Sequence, residues 1–154
     1  MPDPKKRLEF AATILVVDDD SSLRGMLREF LTGLGFRVIE AGTGIGADEQ
    51  LRNHPVDLLM IDLVMPDREG IETIRAVRAE FAGLPILAMS GSELYLNGAA
   101  LLGADMVLQK PFDLDHLQEL LSGGWRPHSA RTAKLNGTTA DSTLLQKESK
   151  EAPL

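Results

Sequence analysis

The sequence predicts an α/β fold in which one parallel sheet of five strands alternates with five helices. Short apolar runs recur and each stops at a polar side chain: Ile14-Leu15-Val16-Val17 before Asp18, Leu58-Leu59-Met60-Ile61 before Asp62, Ile86-Leu87-Ala88-Met89 before Ser90, and Val107-Leu108-Gln109 before Lys110. Unbroken apolar runs of this length suit strands covered on both faces, as in a parallel sheet. The segments between them carry apolar residues at helical spacing, and Gly or Pro marks the boundaries. That alternation is the signature of successive βα units.

The first strand is expected over 13–18, with Ser21 or Ser22 capping a helix that buries Leu23, Met26, Leu27, Phe30, Leu31 and Leu34 and stops at Gly35. Phe36 to Glu40 form the second strand, a short helix covers 45–53, and Pro55 precedes the third strand at 57–62. A third helix places Ile71, Ile74, Val77 and Phe81 on one face. Pro85 starts a strand ending at Met89, and a helix over 93–102 is weakened by Asn97-Gly98. The fifth strand spans 105–109, and a last helix over 113–121 ends at Gly123-Gly124. Right-handed crossovers leave few ways to wind these pieces.

Composition sets outer limits. The 154 residues suit one domain with one core, and 44% hydrophobic residues, 25% charged residues and a mean hydropathy of −0.05 are ordinary for a globular protein. No apolar stretch approaches the ~20 residues of a membrane-spanning helix, and Met1-Pro2-Asp3-Pro4-Lys5-Lys6-Arg7 leads into no signal-like core. A cytoplasmic location is expected. With no cysteine there are neither disulfides nor thiolate metal sites. The net charge of −7 argues against a nucleic-acid surface. Of the 16 basic and 23 acidic residues, 125–154 hold five and three, which leaves 11 and 20 in 1–124. The expected organisation is an N-terminal extension at 1–12, a folded domain at 13–124 and a flexible polar tail at 125–154, too poor in apolar residues to fold alone. Trp125 is expected to pack on the end of the last helix.

The polar residues at the strand ends carry the chemistry. In an open α/β sheet, ligands bind beyond the carboxyl ends of the strands. Asp18 and Asp19, Asp62, Ser90 and Lys110 all fall there, and acids, a hydroxyl and an ammonium together suit the handling of a phosphoryl group. Three converging acids need a cation, and an all-oxygen ligand set without His or Cys points to Mg²⁺ or Mn²⁺. Each residue alone has a plainer reading. An acidic cluster after a strand is often a loop or a helix cap, a Ser at a strand end is often turn chemistry, and a Lys before Pro is often surface. The order and spacing give the specificity.

From Thr13 to Leu121 the chain resembles the receiver domain of two-component response regulators: an acid pair, an acid followed by Met65-Pro66 and Gly70, a hydroxyl, then Lys110-Pro111-Phe112. The resemblance implies a flavodoxin-like sheet of order 2-1-3-4-5. It implies Asp62 as phosphoacceptor, with Mg²⁺ (or Mn²⁺) held directly by Asp19, Asp62 and the Val64 backbone carbonyl and by Asp18 through water. Ser90 and Lys110 would bind phosphoryl oxygens and switch, and the peptide bond before Pro111 would be cis. The implied partners are a histidine kinase or histidine phosphotransfer protein and a downstream protein target, with no nucleic acid and no membrane, the chain being a monomer or weak dimer. The reading is a stand-alone receiver that catalyses only its own phosphoryl transfer and autodephosphorylation. Val107 replaces the usual aromatic ring, the Ser90–Lys110 interval is about two residues short and the last helix is short, so the output face departs from the family. Val64 and Ser92, two residues past Asp62 and Ser90, are apolar and short, which implies slow loss of phosphate.

Three alternatives stand beside this reading. Gly42-Thr43-Gly44-Ile45-Gly46-Ala47 satisfies a dinucleotide-binding pattern with Asp62 twenty residues on, but that use strands Asp19, Ser90 and Lys110. Asp18-Asp19-Asp20-Ser21-Ser22 resembles the nucleophile motif of haloacid-dehalogenase-type phosphatases, with Asp18 attacking, but no acid pair on a strand comes after Lys110. A receiver-fold interaction module that switches weakly is the third. His54, His116 and His128 share no metal-like spacing, and Tyr95 and Phe112 are expected to pack.

Overall fold

A computed structural model describes residues 12–66, 70–123 and 125. Five strands, β1 (Thr13–Val17), β2 (Arg37–Ala41), β3 (Leu58–Asp62), β4 (Ile86–Ser90) and β5 (Met106–Gln109), alternate with five helices. These are α1 (Ser21–Gly33), α2 (Gly44–Asn53), α3 (Gly70–Glu80), α4 (Glu93–Leu101) and α5 (Leu114–Ser122). The sheet is parallel throughout, in the order β2-β1-β3-β4-β5. The expected flavodoxin-like winding is therefore the observed one.

Every residue of β1, β3 and β4 is buried, so the three central runs are apolar on both faces. Ile14, Val16, Leu58, Met60, Leu87, Met89 and Leu108 point to one side, where Leu27 and Leu31 of α1 and Leu117 and Leu121 of α5 cover them. Leu15, Val17, Leu59, Ile61, Ile86 and Ala88 point to the other, against Ala47 and Leu51 of α2, Ile74 and Val77 of α3, and Leu96 and Ala99 of α4. The period-two alternation of each strand thus feeds two cores. Fully burying one such side chain stabilises by roughly 1.5–3 kcal/mol, and the sheet is what those side chains share.

Local expectations fared unevenly. The cap of α1 is Asp20, not Ser21 or Ser22: Asp20 is extended (φ −80, ψ 104) and its Oδ1 accepts from the N–H groups of Ser22 and Leu23. Gly35 ends the turn after α1 with φ 102, a conformation that favours glycine. Met26, expected in the core, is 41% exposed. It lies one position outside the stripe set by Leu23, Leu27, Phe30, Leu31 and Leu34. β4 runs on to Ser90, and Asp113 caps α5 rather than lying inside it. Trp125 packs with Phe36 (ring centroids 6.1 Å apart) and its Nε1 donates to the Leu121 carbonyl at 2.7 Å, as expected of a residue seated on the last helix. Ala12, expected in the extension, is buried. Residues 1–11 and 126–154, which include His128 and almost all of the expected tail, lie outside the described residues.

Candidate functional site

The carboxyl ends of four strands meet at one end of the sheet, and ladder hydrogen bonds extend past the strands to fix the first residues of the loops. Asp18 N–H donates to Ala41 O (3.1 Å), Leu63 N–H to Met89 O (2.9 Å) and Lys110 N–H to Ser90 O (2.8 Å). Side chains distant in sequence are thereby brought together. One carboxylate oxygen from each of Asp18, Asp19 and Asp62 falls within 4.8 Å of the others. Asp18 and Asp62 are buried, whereas Asp19 is exposed. The Lys110 ammonium reaches in from β5, 2.6 Å from Asp18 Oδ2 and 3.4 Å from Asp62 Oδ1. Its closer partner is therefore Asp18. The Lys110–Pro111 bond is cis, and Phe112 packs into the α1–α5 core.

The electrostatics follow from burial and neighbours. Burial pushes the Asp62 carboxyl above the ordinary range; Lys110 pulls it down, Asp18 pushes it up, and backbone and side-chain hydrogen bonds from Val64 and Lys110 pull it down, with burial prevailing. For Lys110, burial pulls the ammonium down, but the hydrogen bond and charge of Asp18, then those of Asp62, outweigh it and the net shift is upward. The ammonium therefore stays charged inside the site. Ser90 is buried, and its Oγ accepts from the Ser92 N–H at 3.0 Å. Ser92 in turn caps α4 through Tyr95 N–H. Val64 is 56% exposed beside Asp62, and Val107 is partly exposed on the edge strand β5.

Gly70 closes the loop after Asp62. Its N–H donates to Leu63 O at 3.0 Å, and a Cβ there would lie 2.6 Å from Leu63 Cα and nearer still to the Asp62 carbonyl oxygen. Only glycine fits that approach. One residue beside the acids escaped the sequence reading. Arg24 on α1 donates from Nη1 to the Asp18 carbonyl at 2.6 Å. An Arg in the first turn after an acidic loop is the one signal that pointed to it.

Among the described residues the cluster offers three carboxylates and no softer donor, a set suited to a hard divalent cation. The two competing phosphate readings lack this support. Thr43 of the glycine-rich stretch caps α2 through Gly46 N–H, which is ordinary helix-start chemistry, and Asp62 belongs to the acid cluster. After Lys110 the described chain continues into α5, with no further strand among the described residues to carry an acid pair.

Comparison with known proteins agrees with the geometry. The model of the response regulator receiver domain matches residues 14–122. The chain belongs to that family. It is 38% identical over 122 residues to the KDP operon transcriptional regulatory protein KdpE of Escherichia coli (strain K12), covering 78% of this chain and 54% of that one. It is 41% identical over 102 residues to the transcriptional regulatory protein CpxR of the same organism, covering 65% and 43%. The chain thus spans about half the length of these curated relatives. Among solved structures it resembles the chemotaxis response regulator CheY4 of Vibrio cholerae (TM-score 0.68, 30% identity, 72% of this chain and 96% of that one). It also resembles the response regulator TrrA of Thermotoga maritima, solved in complex with Mg²⁺ and BeF (TM-score 0.68, 28% identity, 72% and 96%). This receiver is a signalling domain of two-component systems rather than an enzyme of the ordinary kind. No described helix is long and apolar enough to cross a membrane.

Proposed function

We propose that this receiver accepts a phosphoryl group on Asp62 from a histidine kinase or histidine phosphotransfer protein and passes the signal on by protein–protein contact. An Asp62 carboxylate oxygen attacks the phosphorus of the donor's phosphohistidine. The P–O bond forms as the P–N bond breaks, and the electron pair returns to the imidazole nitrogen. Asp18, Asp19, Asp62 and the Val64 carbonyl would hold Mg²⁺, with Mn²⁺ as substitute; the ion supplies neutralisation of the phosphoryl oxygens. Lys110 binds one phosphoryl oxygen as a point charge, which draws it from Asp18, and the Ser90 hydroxyl donates to another. Turning the Ser90 hydroxyl toward phosphate perturbs its bond with Ser92 N–H, and hence the start of α4. The β4–α4 loop is thus the first element to respond. Val107 carries no ring, so switching proceeds without aromatic rotation. Autodephosphorylation by water completes the cycle.

The observation that carries this reading is the convergence of Asp18, Asp19 and Asp62 on one another at the sheet's carboxyl edge, with the Lys110 ammonium against Asp18 and Asp62. A groove of about 370 Å³ lined by Leu23, Met26, Lys110, Pro111 and Phe112 sets apolar surface against the site, which supports contact with a partner protein there. The proposed chain is a monomer or weak dimer in the cytoplasm, with no nucleic acid bound by the acidic domain itself. The test is incubation with acetyl phosphate and Mg²⁺, followed by phosphosite mapping. Hydroxylamine-sensitive label on Asp62 and none on Asp62→Asn is expected. Label on Asp18, or label that persists on Asp62→Asn, would overturn the assignment.

A further inference from the structure

Asp19 is the exposed member of the acid cluster, so something other than burial must aim its carboxylate at the other two. The peptide linking Asp18 to Asp19 is held from outside the cluster. Its carbonyl accepts the 2.6 Å hydrogen bond from Arg24 Nη1, while the Asp18 N–H is tied to Ala41 O. Asp18's own carboxylate is occupied by Asp20 N–H and Lys110. Arg24 is itself braced. Its Nε is buried without a hydrogen-bond partner among the described residues and lies 3.5 Å from Glu40 Oε1, and Glu40 Oε2 takes a 2.7 Å bond from Arg28. Across the loop, Gly42 leaves the guanidinium its room, because a Cβ at that position would stand 3.3 Å from Nη1.

We infer that Arg24 is a positioning residue for the cation site: its guanidinium fixes the Asp18–Asp19 peptide plane and so directs the Asp19 carboxylate, while Glu40 offsets its charge. This rests on the reading of the acid cluster as a Mg²⁺ site. Two physical effects of Arg24 on that site have opposite signs. As a nearby positive charge it opposes a divalent cation, so its removal by Coulomb's law alone tightens binding. As a tether it favours binding, so its removal weakens it. A hydrogen bond of this class changes an equilibrium by about fivefold, and the charge-assisted 2.6 Å geometry places Arg24 at or above that.

The test is calorimetric titration of Mg²⁺ into the full chain as wild type, Arg24→Met and Arg24→Lys, with folding checked by circular dichroism and urea denaturation. Arg24→Met should bind Mg²⁺ about fivefold more weakly than wild type. Arg24→Lys keeps the charge but cannot span Asp18 O and Glu40 together, so it should also bind more weakly. Arg24→Met binding as tightly as wild type or tighter, or Arg24→Lys binding unchanged, would overturn the inference. If Arg24→Met does not fold, the Lys variant decides alone. A wild-type chain that binds no Mg²⁺ would instead refute the cation site, and the inference with it.

Discussion

Replacing Asp62 with Asn should stabilise the metal-free domain while abolishing phosphorylation. Asp62 is 6% exposed, so its charge sits largely out of water. At an effective dielectric near 20, the Lys110 ammonium 3.4 Å away attracts it by about 5 kcal/mol. Asp18, with a carboxylate oxygen no more than 4.8 Å away, repels it by at least about 3.5 kcal/mol, and exposed Asp19 adds a screened share. Attraction and repulsion therefore nearly offset, and burial tips the balance, which is the origin of the raised carboxyl. Asn removes the desolvated charge, and Lys110 is not orphaned because Asp18 holds it at 2.6 Å. The expected gain is on the order of 1 kcal/mol near neutral pH in EDTA.

The pH dependence has a definite sign. A carboxyl held above its unfolded value binds its proton more tightly when folded, so its contribution to stability is present at low pH and lost as pH rises through the folded pKa. The advantage of Asp62→Asn is thus full above that pKa and closes as the pH falls through it. Adding Mg²⁺ should work the other way, stabilising wild type more than the variant by ligand linkage. Urea unfolding in EDTA across a pH series, then in Mg²⁺ near neutral pH, measures all three effects. A variant less stable than wild type in neutral EDTA, or a gap that widens on acidification, would refute the reasoning.

Two further outcomes are expected. Gly70→Ala forces a Cβ against the Asp62 carbonyl and Leu63 Cα, so it should destabilise by about 1–3 kcal/mol and slow labelling by acetyl phosphate; a urea midpoint equal to wild type would show that the loop yields freely. Val64, 56% exposed beside Asp62, can neither orient nor activate water. Val64→Asn should therefore speed loss of phosphate severalfold, about 1 kcal/mol in barrier, and a release rate no faster than wild type would show that this side chain does not set the lifetime.

Local sequence was enough to place the strands and the polar groups at their ends. Unbroken apolar runs such as Ile14–Val17 and Ile86–Met89 admit little but buried strands, and each strand lies within about a residue of where its run placed it. The α1–α5 and α2–α4 cores arise from alternation along those strands and helical spacing between them, both local properties of the chain. The convergence of Asp18, Asp62 and Lys110 was legible for the same reason, since strands in one parallel sheet end on one side. Local rules failed where two chemistries competed for one place. Asp20, Ser21 and Ser22 are all good caps, and the helix begins at Ser21, so the extended residue before it, Asp20, takes the role. Met26 has the right composition for the core but sits just off the buried stripe. Two pairings were beyond any local rule: Lys110 lies nearer Asp18, 92 residues away in sequence, than Asp62, and Arg24 faces Glu40 on β2, the strand beside β1. Such pairings depend on strand order, register and a few ångströms of side-chain reach, and these exist only once the sheet has closed around its two cores.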